Sequence, residues 1–231
     1  MTVQAAVRHA PSGFPLPGFS VPCQPTPHST PQEPLQTAGT VAHFAEGAAI
    51  FAEGDATDVF YRVVSGVVRV CKFLSDGRRQ IEAFHVAGDV FGFEPGTERT
   101  LCAEAVGPCS LVAYRRRNVD ALAQKDQAVS RLLFGYVMQN LAQAQGHSLL
   151  LGRRGAAEKV AAFLLDWSRH SADPRILHLA MTRQDIADYL GLTIETVSRS
   201  LSQFERDGVI ALPNIREVRL TNRTALESLA A

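Results

Sequence analysis

The feature that most constrains this chain is a change of period near Asn118. Before it, short apolar runs alternate with Gly, Ser and Asp: Val59-Phe60-Tyr61-Arg62-Val63-Val64, then Ser65-Gly66, then Val67-Val68-Arg69-Val70-Cys71. Ser75-Asp76-Gly77, Gln80 to Val86, Ala87-Gly88-Asp89, Ala103 to Val106 and Ser110 to Tyr114 continue the pattern. Such runs are strands joined by tight turns. Many of them at this spacing predict an antiparallel roll or barrel.

Beyond Asn118 a helical period takes over. Leu133, Tyr136, Val137, Asn140, Leu141 and Ala144 fall on one face of a helix. With Asp126 as N-cap, a helix reaching about Leu151 is roughly 37 Å long at about 1.5 Å per residue, more than a small roll can cover. The stripe has two readings. In the favoured one, the six residues form a homodimer seam, and the polar Asn140 fixes its register; in the other, the stripe packs wholly on its own domain. Gly135 weakens the helix in both.

A second helical stripe, Val160, Phe163, Leu164 and Trp167, opens a compact unit that holds the most informative segment. In Met181 to Thr193, Thr182 caps a helix with Asp185 three residues on, as in a capping box. Gly191 ends that helix. Ala187 provides a small side chain where a second helix crosses, and glycine permits the left-handed turn.

Thr193 caps the second helix, Ile194 to about Asp207. Val197, Leu201 and Phe204 point inward, leaving Glu195, Thr196, Ser198 and Arg199 on the exposed side. That side can reach base edges in a major groove. Arg199 can give two parallel hydrogen bonds to guanine O6 and N7, and Glu195 can accept from a cytosine amino group. Helical hairpins with a charged face also occur in proteins that never meet DNA. The segment after the second helix favours DNA: Gly208 to Leu212, a turn at Pro213-Asn214, and Arg216 to Leu220 predict a β-hairpin wing. Arg183, Arg216 and Arg219 are candidates for phosphate contacts that position without specifying sequence, and each fits a solvated-surface role equally well.

Composition narrows the classes. The chain's 231 residues, 46% hydrophobic, suffice for two small cores. No run approaches a membrane-spanning length, and the N-terminus lacks a basic start followed by an apolar stretch, so the chain reads as cytoplasmic. Basic and acidic residues balance at 23 each, so any DNA binding must be local. Residues 1–36, rich in Pro from Pro11 to Pro34, read as a disordered tail, either a plain extension or a contact for a partner.

Cys23, Cys71, Cys102 and Cys109 contain no C-x-x-C pair, and a reducing cytosol disfavours structural disulfides. They are small apolar residues or thiol sensors. His85 reads as a satisfied half-buried residue. With His43 at the roll's entrance, it supplies too few ligands for a cupin-like metal site. No catalytic constellation stands out, and neither a cofactor nor a metal is expected. The fold class is α+β: a tail over 1–36, an antiparallel β-roll over 37–125, a dimerisation helix over 126–153 and a winged helix-turn-helix over 154–231.

This order resembles the Crp/Fnr superfamily of bacterial regulators. Ala87-Gly88-Asp89-Val90-Phe91-Gly92 in the roll and Thr193-Ile194-Glu195-Thr196-Val197-Ser198-Arg199 in the reader carry the resemblance. Asp185 to Arg199 is especially similar to the fumarate and nitrate reduction branch and its FixK-type members. The resemblance implies a cyclic-nucleotide-binding-like roll and a homodimer on double-stranded DNA with TTGA and TCAA half-sites. It further implies contact with RNA polymerase and base reading by Glu195, Ser198 and Arg199. It also marks departures. Oxygen-sensing members hold an iron-sulfur cluster on several cysteines, whereas this tail offers only Cys23 and Cys109 falls short of the roll position. Cyclic-AMP-binding members place an acidic residue where Phe93 stands; Glu94 comes one residue late, and Arg99-Thr100 stands where a phosphate-binding pair would be. A roll acting as a scaffold, one binding a small effector and a thiol-gated regulator all remain open, as does a degenerate reader whose purpose is protein contact.

Overall fold

The structure is a computed structural model that describes Leu35, residues 38–153 and residues 155–230. The segment read as a tail lies outside the described residues except for Leu35, which is buried against Phe60, Val90, Tyr114, Val119 and Val129.

Eight strands build the roll: β1 (Gly39–Phe44), β2 (Ala49–Phe51), β3 (Val59–Ser65), β4 (Val68–Phe73), β5 (Arg79–His85), β6 (Val90–Phe91), β7 (Cys102–Ala105) and β8 (Cys109–Arg115). They form two four-stranded sheets, ordered β1-β8-β3-β6 and β2-β7-β4-β5, and the pairs are antiparallel. The runs on either side of Ser65-Gly66 are strands, but they are not a hairpin. β3 and β4 lie in different sheets, and Gly66 carries the chain across at φ +88°. A Cβ there would sit 2.5 Å from Cys109 Cβ, so the crossing needs glycine for space as well as for its dihedral. The hairpin comes one turn later, where β4 pairs with β5 around Ser75-Asp76-Gly77. Phe51, Val63, Val68, Val70, Phe91, Ala103, Ala105 and Leu111 fill the space between the sheets.

After β8 come α1 (Arg116–Ala123) and the long α2 (Gln127–Leu151). Asp126 caps α2 by accepting from the Ala128 N–H at 2.8 Å. α3 (Ala156–Trp167) buries Val160, Phe163, Leu164 and Trp167, the stripe its 3.6-residue spacing predicts. The remaining elements are β9 (Ile176–His178), α4 (Arg183–Leu190), α5 (Ile194–Arg206), β10 (Ile210–Asn214), β11 (Glu217–Leu220) and α6 (Arg223–Leu229).

The wing differs from the sequence expectation in two ways. Its turn is Ile215-Arg216 rather than Pro213-Asn214, because β10 runs through Asn214, which pairs with Glu217. Asn214 Oδ1 accepts from the Arg216 N–H at 2.9 Å and closes the turn from its own side chain. The wing is also three-stranded: β9 pairs with β11. A three-residue strand followed by another apolar stretch leaves too short a pattern to read.

The core of this C-terminal unit does not stop at its own residues. Val106 is buried within it, and Val67, Phe84 and Val86 pack against it. Phe84 of β5 meets Trp167 of α3 and Tyr189 of α4, so the end of β5 nearest Val86 is covered by these helices.

Candidate nucleic-acid interface

The reader is built from its caps inward. Thr182 and Asp185 form the capping box: Asp185 N–H donates to Thr182 Oγ1 at 3.1 Å, while the Thr182 N–H and hydroxyl donate to Asp185 Oδ2 at 2.9 and 2.8 Å. Gly191 takes a left-handed conformation at φ +63°, and the Leu192 N–H closes the end of α4 onto the Ala187 carbonyl at 2.9 Å. Ala187 is fully buried at the crossing. Thr193 caps α5 through the Thr196 N–H at 3.3 Å. Val197, Leu201 and Phe204 anchor the helix.

This leaves the other side of α5 in solvent. Thr193, Ile194, Glu195, Ser198 and Arg199 are exposed and Thr196 is half-buried. Among the described residues Arg199 makes two marginal contacts, Nε to the Glu195 carbonyl at 3.4 Å and Nη2 to Thr196 Oγ1 at 3.5 Å, near the limit of a useful hydrogen bond. Its planar donor fork is thus available to another acceptor. Glu195 is held below the ordinary carboxylate range by its own backbone N–H, then by the Thr193 hydroxyl and Arg199, so it is an ionised acceptor in the first turn.

The three arginines expected at phosphate have different settings. Arg216, at the wing tip, donates to the Ala180 carbonyl, and Arg219 pairs with Glu217 at 2.7 Å; both are exposed. Arg183 is half-buried, and burial lowers its pKa. Its Nη1 is buried with no hydrogen-bond partner among the described residues.

The α2 stripe divides. Leu133 and Tyr136 lean on the roll, and Asn140 Nδ2 donates to the Val90 carbonyl at 2.9 Å and the Tyr136 carbonyl at 2.8 Å, so its amide serves its own chain. Val137, Leu141 and Ala144 are exposed, as are Phe134 and Met138, which lie outside the predicted stripe.

In the roll, Arg99 is 2% exposed and lies 4.0 Å over the Phe51 ring. Its Nη1 donates to the Gly92 carbonyl at 2.8 Å and faces Glu94 Oε1 at 3.4 Å, and Nη2 donates to the Val59 carbonyl. Glu94 Oε2 accepts from the Thr100 N–H at 2.7 Å and from its hydroxyl at 2.8 Å. Donors that could have met a cyclic phosphate already hold a carboxylate, and a second anion would be repelled. These residues do not fit a cyclic nucleotide. His85 is buried and stacked on Phe91. Among the described residues no group of three or more His, Cys, Asp or Glu could hold a metal ion, and no helix is long and apolar enough to cross a membrane.

One cluster of contacts is not visible in the sequence. Asp185, besides capping α4, meets Arg69 Nη1 at 3.2 Å and Arg79 Nη2. Arg79 also meets Asp188 at 2.7 Å, and Arg69 meets Glu104 at 2.7 Å. His147 on α2 stacks on Tyr189 at 4.1 Å and contacts its carbonyl oxygen at 2.8 Å. The arginine–aspartate pairs latch α4 to the roll, and the His147 stack ties it to α2. Arg69 and Arg79 lie some 110 positions from Asp185 and Asp188 in sequence, and His147 lies 42 from Tyr189, so only the two aspartates of α4 hint at them.

Comparison with known proteins accords with this architecture. A domain family described as a Crp-like helix-turn-helix domain matches residues 158–229, and one described as a cyclic nucleotide-binding domain matches residues 41–126. The nitrogen fixation regulation protein FixK of Azorhizobium caulinodans is 47% identical over 204 residues, covering 86% of this chain and 82% of the relative. The chain belongs to the Crp/Fnr family. Within it the chain is FixK-like: the FixK of Rhizobium meliloti is 42% identical over 196 residues, covering 85% of this chain and 90% of that one. The structure of FixK2 from Bradyrhizobium japonicum aligns with a TM-score of 0.79 at 43% identity, over 84% of this chain and 98% of that one. This Crp/Fnr-type protein is a transcription regulator with a DNA-binding helix-turn-helix rather than an enzyme.

Proposed function

We propose that this regulator binds as a homodimer to a TTGA-N6-TCAA-like palindrome and activates transcription through RNA polymerase in the cytoplasm. The observation that carries the reading is the solvent-facing side of α5, where Glu195, Ser198 and Arg199 stand on a helix anchored by Val197, Leu201 and Phe204. Arg199 and Glu195 are complementary tools for a G·C pair, and Ser198 and Thr196 border them. Ile194, Thr193 and Thr182 lie at the helix starts, where backbone N–H groups face phosphate. Arg183, Arg216 and Arg219 position the unit on the backbone.

Two copies place their reader helices about one DNA turn apart, in successive major grooves. The apolar face that α2 leaves exposed, Val137, Leu141 and Ala144 with Phe134 and Met138, supports a helix–helix seam; Leu133, Tyr136 and Asn140 set the angle of α2 on the roll beneath it. The FixK relatives are named for nitrogen fixation regulation, which supports target genes of nitrogen-related function, alongside the microaerobic and anaerobic genes that the family resemblance implies. With the Arg99-Thr100 donors held by Glu94, the protein binds DNA without added nucleotide. The test is fluorescence anisotropy of a labelled TTGA-N6-TCAA duplex against a scrambled one at fixed salt, with reduced, nucleotide-free protein. Tight binding to the matched duplex alone is expected; equal binding to both overturns the operator.

A further inference from the structure

We infer that Cys71 and Cys102 form a two-cysteine site that a hydroperoxide closes into a cross-strand disulfide within one chain. The two residues are direct register partners on the antiparallel strands β4 and β7. Facing residues of such a pair have Cα atoms about 4.5–5.5 Å apart, inside the range of about 4.4–6.8 Å that a disulfide spans. Their side chains share a face. Along β4 and β7 the inward pairs are Val68 with Ala105 and Val70 with Ala103, and the outward pairs are Arg69 with Glu104 and Cys71 with Cys102. Both are free thiols, Cys102 half-buried and Cys71 fully buried. Burial, with Glu104 and then Cys102 adding to it, pushes the Cys71 thiol up to about 11, so Cys71 is a poor first nucleophile and Cys102 is the entry point. Cys109 is excluded by position: it faces Phe44 across β1 and β8.

The chemistry balances with the hydroperoxide as the only co-reactant. The Cys102 sulfur attacks the terminal peroxide oxygen, the O–O bond breaks, and a sulfenic acid forms as water or an alcohol leaves. The Cys71 sulfur then attacks the Cys102 sulfur; the S–O bond breaks, and hydroxide departs with the Cys71 proton as water. One S–S bond has formed, and two thiols have supplied the two electrons that reduced the peroxide. The site lies two residues along β4 from Arg69, whose guanidinium holds Asp185 of the reader, so the cross-link is built into the strand that carries the latch.

The experiment uses the full chain, reduced, exposed to graded hydrogen peroxide, alkylated and mapped by mass spectrometry. The wild type and a Cys23→Ser, Cys109→Ala double variant are both expected to lose two alkylatable thiols per chain and to yield a linked pair of peptides carrying Cys71 and Cys102. At the same peroxide dose Cys102→Ser keeps Cys71 alkylatable, and Cys71→Ser yields Cys102 trapped by dimedone as the sulfenic acid. Circular dichroism checks that each variant is folded. If both thiols stay alkylatable in folded wild type, or if Cys71 is lost equally in Cys102→Ser, the site does not exist. No DNA enters the assay, so its failure is separate from failure of the operator.

Discussion

Two acid–arginine pairs in this molecule use the same chemistry to opposite ends. In the roll, Glu94 and Arg99 are buried and turn their polar atoms on each other, on Thr100 and on backbone carbonyls. On α5, Glu195 and Arg199 stand in solvent, and among the described residues the arginine has contacts of 3.4 and 3.5 Å. The first pair supports the fold and has little left for a ligand. The second contributes almost nothing to the fold and leaves its donors in solvent. Residue type does not separate a structural arginine from one left free in solvent; what separates them is how many of its hydrogen bonds the chain itself completes.

The largest test of this contrast is Arg99→Ala. It leaves the Glu94 carboxylate buried without its cation, and a loss of about 3–5 kcal/mol in unfolding free energy is expected from urea titration; a loss below about 1 kcal/mol would show that the pair is not buried in solution. Next is the pH response of His85. Burial pulls its pKa from 6.5 to about 4, so the folded chain keeps the ring neutral while the unfolded chain protonates it. Stability is complete above about pH 6.5 and falls as pH drops towards 4, by roughly 3 kcal/mol. Replacing the ring by His85→Phe, which preserves stacking on Phe91, should flatten that part of the curve, and an unchanged slope would assign it elsewhere.

Arg199→Ala reverses the pattern seen at Arg99. Binding to the matched duplex should weaken by about 1–3 kcal/mol with relaxed preference at one guanine, while stability moves by less than about 0.5 kcal/mol. If the unmutated protein binds the guanine-substituted duplex as tightly as the matched one, Arg199 does not read that base. The smallest effect is expected at Thr182→Ala, where the capping box of α4 loses its hydroxyl. About 1 kcal/mol of stability should go, and affinity for matched and scrambled duplexes should drop together, because Thr182 positions the helix without reading sequence.

The reader is legible almost residue by residue. Thr182, Asp185, Gly191, Thr193 and the inward trio Val197, Leu201 and Phe204 interact within one or two helical turns of each other, so their spacing carries their roles. The α2 helix and its Asp126 cap are legible for the same reason. Asn140 is not: its partner, the Val90 carbonyl, lies 50 positions away, and periodicity places a side chain on a face without saying what that face meets. Glu94 is one residue late by spacing, yet it meets Arg99 and Thr100. A short loop can turn a neighbouring carboxylate into the same space, and no spacing rule records that.

The sequence by itself determined the order of roll, long helix and winged unit, the caps, and the side of α5 that faces solvent. All of these depend on local periods and turn chemistry. Only the tertiary structure decided that Ser65-Gly66 crosses between sheets, that Asp185 and Asp188 meet Arg69 and Arg79, that Cys71 faces Cys102, and which arginine is consumed inside the molecule. Each of these depends on strand pairing or packing between segments far apart along the chain. Many foldings of the same local pattern would satisfy the periods, and the packed core selects one of them.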